Sequence, residues 1–478
     1  MLHIQMSHMR QSDQKNTTKI SDFLFAGKKL RTPAIVNLLI SSSFGLNAVF
    51  YAAWLGYSIG IWGLLLQLAW SISFFLLIPA AKSFTDINSL HDFLGRQFGN
   101  KTKLLAALCS LVGMSYFVVW EVNIDQSTIA PLLKIPPHFL ISDTSMLAAL
   151  IIGLFALITI IYTILWGLRG NAITDRVLNS VKVVILIAIS CISLYHFFRL
   201  PNNLIFQSIF PPFSKVITNL GILGLITNIV FNLAWQFVDN TSWQTIIGGA
   251  KASNGSTARN LKYSGLLIFL VVNLLATILG ISLAQQSNVT QGNIIAIAAG
   301  LLPQLSTLLS IGIIILSIAS MMSLIDGMLL ASALTVNIDI LPIKALQKLS
   351  ETKRLRLIQL SVFAFGLIAV WIINLVFNIL HINLFDLVYI VILSQLSLIG
   401  PVIIGLYSKR HKNSLMWIAI LTALIVGFGS TIIGGASNNH LLVDGAGAFA
   451  VVASLFTAGI VKYLPERIMQ HSLIPNLS

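Results

Sequence analysis

The chain is predicted to be an all-α polytopic membrane protein of about twelve transmembrane helices. Three observations carry this. Of its 478 residues, 56% are hydrophobic and only 9% are charged, where a soluble protein carries about a quarter charged residues. Its apolar stretches run to about 20 residues each, the length at which a helix crosses the hydrocarbon core. Twenty-six of the 29 Lys and Arg residues fall on one side of a single twelve-span threading, the exceptions being Lys134, Arg199 and Lys215. Cytoplasmic loops retain Lys and Arg, so the bias sets both termini in the cytoplasm, with the chain threaded through the inner (plasma) membrane.

The spans read 34–55, 60–81, 104–124, 145–167, 177–197 and 218–238, then 264–285, 305–335, 357–378, 384–406, 414–434 and 446–463. The basic residues lie in seven segments: the N-terminal tail, 82–103, around 169–182, 251–262, 344–356, 409–412 and 462–467. One missed or extra span would invert every later loop and erase the bias. Residues 286–303 are uncharged and broken, and read as a re-entrant or surface helix on the outer side. The expected organisation is a basic cytoplasmic tail (1–33), a ten-helix core (34–406) and two C-terminal helices with a short tail (407–478).

Several function classes drop out. The net charge of +14 is spread over short loops, where contact with anionic lipid headgroups accounts for it and nucleic acid does not. Cys109 and Cys191 both fall inside spans and form neither a disulfide framework nor a metal-ligand spacing. Residues 1–32 are polar and basic, unlike a secretory signal. There is no soluble domain and no P-loop, which excludes ATP-driven transport within this chain. None of the nine His residues lies in the interior of a span, His196 being at the end of span 5 and His381 in a loop, so a membrane-embedded enzyme is not expected. No cofactor is expected beyond a coupling ion.

Span 1 looks breakable. Ser41-Ser42-Ser43-Phe44-Gly45-Leu46-Asn47 sets small and polar residues at mid-membrane. Non-helical backbone at that depth lines a cavity or is buried in protein; a small-residue packing face is the other reading. The segment Asn47 to Trp54 also echoes Asn228 to Trp235, agreeing at five of eight positions, five spans apart. An odd separation means opposite orientations, as expected of inverted repeats whose first helices break at a central site.

Six segments together resemble the sodium/solute symporter family, which includes sodium/glucose, sodium/proline and sialic acid transporters. They are Gly56-Tyr57-Ser58-Ile59-Gly60, the run from Ser89 to Gly99 containing His91-Asp92, and Ile173-Thr174-Asp175-Arg176. Trp243-Gln244 with Gly249-Ala250-Lys251, Ser323 to Ser332 closed by Asp339-Ile340, and Gly400-Pro401 with Gly405-Leu406 complete the set. The resemblance covers roughly residues 34–410 and implies a LeuT-type fold, a core of two five-helix inverted repeats followed by two further helices. A basic tail stands where many members carry an extra first helix.

The resemblance also implies an ion site. In the family, sodium is held by carbonyls of the broken first core helix and hydroxyls of the eighth; here these fall at Ser41 and Phe44, and at Ser323 with Ser320 one turn earlier. The second hydroxyl position is Leu324, which cannot ligate a cation. Either Ser320 or a water completes a sodium site, which is the reading favoured, or coupling has passed to protons through Asp175 or Asp326, because intramembrane carboxylates default to function. A cap at a helix start is the alternative role for Asp175, and pairing with a basic residue on the cytoplasmic side that for Asp326.

The substrate candidates are polar residues in mid-span: Asn47, Tyr51, Gln67, Asn228, Asn232, Gln236 and Gln395, with Trp235 as an apolar wall or gate. Gln67 and Asn232 fall at or beside positions that contact sugar in the sodium/glucose type. Amides donate and accept, which suits a neutral polar or zwitterionic solute such as an amino acid or sugar; structural bonds between helices are the alternative. Glu121 and Asp125 share a face at the outer end of span 3 and read either as an attractor for a cationic group or as a solvated interfacial pair. The expected function is a secondary active symporter importing a small polar organic solute with sodium, by alternating access. A proton-coupled symporter, an uncoupled facilitator and a transporter-like sensor are the alternatives.

Overall fold

The computed structural model describes residues 18–133, 143–250, 256–286, 289, 293–301, 303–342, 346, 348–375, 393–408 and 413–463. These are helical nearly throughout, with no strand among the described residues. In chain order the elements that matter here are α1 (Thr18–Phe25), α2 (Thr32–Ser43), α3 (Leu46–Ile59), α4 (Ile61–Leu76), α5 (Leu90–Phe98), α6 (Asn100–Ile129) and α7 (Thr144–Phe197). After them come α8 (Ile222–Val238), α9 (Asn240–Ala250), α10 (Ser256–Leu267), α11 (Ser306–Leu334), α12 (Glu351–Leu367), α13 (Ile399–Tyr407), α14 (Trp417–Ala436) and α15 (His440–Tyr463).

Among the described residues, seven helical stretches are long and apolar enough to cross a membrane, and three bent pairs raise the number to ten. One of the seven is α7, whose 54 residues would extend about 80 Å at 1.5 Å per residue, far beyond one bilayer. Its backbone turns at Gly167 (φ 56°, ψ −150°), a conformation that only glycine adopts without strain. Spans 4 and 5 are therefore the two limbs of α7, which makes eleven. The apolar helix Leu393–Tyr407 is the described part of the remaining span, most of which lies outside the described residues.

Span 1 is broken, as its Ser-rich centre suggests. The axes of α2 and α3 differ by 63° across Phe44 (φ −110°, ψ 48°) and the extended Gly45 (φ −73°, ψ 160°). Gly45 is needed for space. A Cβ there would stand 2.7 Å from Leu324 Cδ1, 2.7 Å from Asn47 Oδ1 and 3.0 Å from Glu121 Oε1. Span 6 is broken too, at Asp239 (φ −74°, ψ 102°) between α8 and α9. The sequence echo does not mark equivalent places in these helices. Asn47 lies two residues after the first break, whereas Asn228 lies eleven before the second. The similar segments are instead a limb leaving one break and a limb arriving at the other.

The tail is folded from residue 18: α1 buries Phe23, Leu24 and Phe25, the Gln244 amide donates to the Leu24 carbonyl at 3.0 Å, and Arg169 pairs with Asp22 at 2.8 Å. The run 286–303 contains a short helix, Ile294–Ile297, with Ile294 and Ile295 buried. Two of the segments that carried the resemblance meet at Asp339. Asp339 accepts from the Ser89 hydroxyl and binds His91 Nδ1, each at 2.9 Å, with Lys103 Nζ at 3.2 Å. Among the trailing helices, α15 packs on α8 and α13, and the Thr227 hydroxyl donates to the Asp444 carbonyl at 2.7 Å.

Candidate functional site

Breaking a helix at mid-membrane exposes carbonyls at the end of one limb and N–H groups at the start of the next. In the first span both sets are met by charged side chains from other helices. Glu121 of α6 accepts from the N–H of Leu46 at 2.6 Å and of Asn47 at 3.0 Å, one on each carboxylate oxygen. It thus caps α3, where the helix dipole favours negative charge. Lys182 of α7 donates to the Phe44 carbonyl at 3.0 Å and to the Ser323 hydroxyl at 2.6 Å, and its Nζ stands 4.6 Å from the centre of the Phe44 ring. The Ser323 hydroxyl in turn donates to the Ser320 carbonyl at 3.2 Å. Lys182 and Glu121 are both fully buried.

These two residues correct the sequence reading. The threading groups Lys182 with the cytoplasmic charges around 169–182, although it lies inside span 5 (177–197). The second limb of α7 starts just after the turn at Gly167 and runs unbroken from there, which places Lys182 about 22 Å into it at 1.5 Å per residue. The signal was present, since a lysine inside an apolar run is costly enough to mark function. Glu121 and Asp125 are not a solvated pair at a helix end: both are fully buried, and Asp125 is bonded to the Ser317 hydroxyl. No attraction of solutes from bulk water follows from them.

The acidic candidates Asp175, Glu121 and Asp326 lie within electrostatic reach of Lys182. Asp175 is 1% exposed and sits inside α7, two turns before Lys182, so it does not cap a helix start. Asp326 accepts from the Tyr162 hydroxyl at 2.8 Å; that tyrosine, rather than a basic residue at the helix end, is its bonded partner. The Ser41 carbonyl accepts from the Phe44 N–H at 3.2 Å. Leu324 packs against the break, its methyl group at the space a Gly45 Cβ would fill.

A cavity of about 50 Å³ opens beside the break. Its polar lining comes from Ser42, Ser43, Asn47, Tyr51 and Asn232, and its aromatic lining from Trp70, Phe117, Trp120, Phe231 and Trp235. Phe117 stacks on Trp235 with centroids 5.5 Å apart and planes 27° apart, and Trp120 meets Phe117 edge-on. Of the sequence candidates, the cavity brings together Asn47, Tyr51, Asn232 and Trp235. Asn232 also donates to the Leu66 carbonyl at 3.2 Å. The others do not line it. Gln67 and Gln236 are fully buried with neither amide atom hydrogen-bonded, Gln395 donates weakly to the Ser110 carbonyl at 3.5 Å, and Asn228 bonds within its own helix to Gly224. The aromatic contribution of spans 2 and 3 (Trp70, Phe117, Trp120) went unread, because aromatic residues are ordinary in apolar spans until a break aligns them.

No protein-family model matches the chain, and no curated protein does. Solved structures do match in fold. A Na+-coupled sialic acid symporter in a substrate-bound outward-open state aligns at TM-score 0.70 and 14% identity, over 94% of each chain. Mhp1, a nucleobase-cation-symport-1 family transporter with bromovinylhydantoin bound, aligns at 0.57 and 13%, over 94% of this chain and 96% of that one. MhsT in complex with L-phenylalanine aligns at 0.55 and 15%, over 91% and 99%. At these identities the likeness establishes the fold, that of LeuT-type transporters, across nearly the whole chain.

Proposed function

We propose that the chain is a secondary transporter that imports a small polar organic solute across the inner membrane by alternating access, with both termini in the cytoplasm. The observation that carries this reading is the cavity at the break of span 1, polar on the side of Asn47 and Asn232 and walled by five aromatic rings besides Tyr51. Solutes in this class of fold bind where the helices break. At about 50 Å³ the cavity holds a few waters, so entry of a solute requires Phe117 and Trp235 to part. The stacked pair is a gate in this reading.

The solute is uncharged or cationic. The N–H groups of Leu46 and Asn47, which a half-helix terminus would offer to an anionic solute, already serve Glu121. A free carboxylate, as in an amino acid, would first have to displace that side chain. Aromatic walls attract cations and planar rings alike, and the two asparagines can donate and accept.

Coupling to a cation gradient belongs to the same reading, and its identity turns on Lys182. Sodium has the support of the sodium-coupled neighbour in fold and of Ser320. The ammonium at Phe44 and Ser323 stands against it. The test is a thermal-shift screen of the purified protein against sugars, amino acids, nucleobases and quaternary amines, followed by uptake of each hit into proteoliposomes. Stabilisation by a neutral or cationic hit, lost in Trp235→Ala, is the expected result. Hits confined to anionic solutes would sink the substrate reading, and uptake that never exceeds the external concentration under any ion gradient would sink active transport.

A further inference from the structure

A hard cation at the break would need several oxygens converging on one point. The Ser41 carbonyl accepts from the Phe44 N–H, the Ser320 hydroxyl lies one turn before Ser323 and Leu324 has no oxygen, so the fold offers at the break itself the Phe44 carbonyl and the Ser323 hydroxyl. Both oxygens are already held by one nitrogen, Lys182 Nζ, at 3.0 and 2.6 Å. A sodium ion bound to the same two oxygens would lie in contact with that ammonium, two positive charges in a site with no exposure to water. The residues present therefore do not fit sodium while Lys182 keeps its place.

They do fit an ammonium. Its donors meet a carbonyl that lost its helical partner at the break and a hydroxyl whose own proton is used elsewhere, on Ser320. The Phe44 ring face lies 4.6 Å away, a favourable cation–π distance. Three carboxylates on three different helices, Glu121 of α6, Asp175 of α7 and Asp326 of α11, lie within electrostatic reach of the charge, and the Tyr162 hydroxyl donates to the last of them. A lysine tethered to span 5 thus links the broken span 1 to span 8, the two elements whose oxygens a free ion would otherwise join.

We infer that the Lys182 ammonium is a built-in cation standing in for a free ion at the break of span 1, and that this site does not take sodium. The missing hydroxyl at Leu324 then has an explanation, because an ammonium has fewer donors to satisfy than an ion has coordination positions, and a methyl group can close the remaining side. The inference deepens the transport reading and rests on it only for its consequence, that the solute is not driven by sodium through this site.

Sodium itself is the probe, with no solute present, so the outcome does not depend on knowing what is carried. Melting of the purified full chain is compared in sodium, potassium and choline chloride at equal ionic strength. The wild type is expected to melt alike in all three. Lys182→Thr combined with Leu324→Ser, which removes the ammonium and restores two hydroxyls, is expected to melt higher in sodium alone. A sodium-specific rise in the wild type that Ser323→Ala abolishes would overturn the inference, and so would a folded, monodisperse double variant indifferent to sodium. If the double variant does not fold, direct binding of radioactive sodium to the wild type, blocked by Ser323→Ala, remains the contrary result. Failure of every solute to accumulate in proteoliposomes would count against transport and leave this comparison standing.

Discussion

The two broken spans meet the same problem in opposite ways. At the second break the chain caps itself: Asp239 accepts from the N–H groups of Thr241 and Ser242, each at 3.1 Å, and from the Ser242 hydroxyl at 2.5 Å. At the first break no local side chain does this work. The N–H groups are taken by Glu121, 75 residues from Leu46, and the carbonyl of Phe44 by Lys182, 138 residues away. A self-capped break lets α9 tilt without stranding a charge. A break held by remote charges binds the position of α2 and α3 to spans 3, 5 and 8. In an alternating-access cycle the second arrangement is the one that can transmit the state of a central site to the rest of the bundle.

The comparison breaks most severely at Lys182. Lys182→Met keeps the length of the side chain and removes the charge, leaving Glu121, Asp175 and Asp326 buried without their cation. Removing one partner of a buried charge set costs about 3–5 kcal/mol. The expected outcome is a large fall in melting temperature together with loss of solute-dependent stabilisation. A variant within about 1 kcal/mol of the wild type, below the cost of an unpaired buried charge, would show that the lysine is not the keystone of the break.

Much of the contrast was written in the sequence, but unevenly. Asp239-Asn240-Thr241-Ser242 is a local capping signal, legible because cap and capped residues are neighbours. The break of span 1 was legible from its serines and Gly45, and Asn47, Tyr51, Asn232 and Trp235 were legible as mid-span residues that could face a cavity. What fills the break was not. Glu121 read as an interfacial acid because hydropathy ends span 3 near residue 124, whereas α6 continues to Ile129. Lys182 was grouped with the cytoplasmic charges because the second limb of α7 begins about nine residues before the apolar run that marks it. Both errors concern where a helix ends, and a difference of two turns converts a solvated charge into a buried one. The pairing across 138 residues has no periodic signature at all, since it depends on tertiary packing.

Glu121→Gln separates charge from capping and is the next largest expected effect. The amide oxygen can still accept one N–H, but its NH₂ group faces the other, so one buried donor goes unsatisfied at about 1–3 kcal/mol. The melting temperature should fall by less than in Lys182→Met. If the carboxylate also excludes anionic solutes from the N–H groups of α3, the variant should gain measurable stabilisation by amino acids or other carboxylates in the same thermal-shift screen. An unchanged solute profile would confine Glu121 to a structural role.

Asp239 supplies the smallest effect and the sharpest contrast. Asp239→Asn keeps one capping oxygen but sets its NH₂ group against the second N–H, so it and Asp239→Ala should each cost about 1 kcal/mol, within the 0.5–2 kcal/mol of a lost N-cap. Neither should alter the salt response of melting, since the cap bonds only to its own helix and no remote charge depends on it. That pairing of a mild stability loss with unchanged ion and solute behaviour is what local satisfaction predicts. A strong loss of solute binding in Asp239→Asn would instead mean that the second break carries charge to the site as the first does, and the division between a self-capped hinge and a charge-held one would collapse.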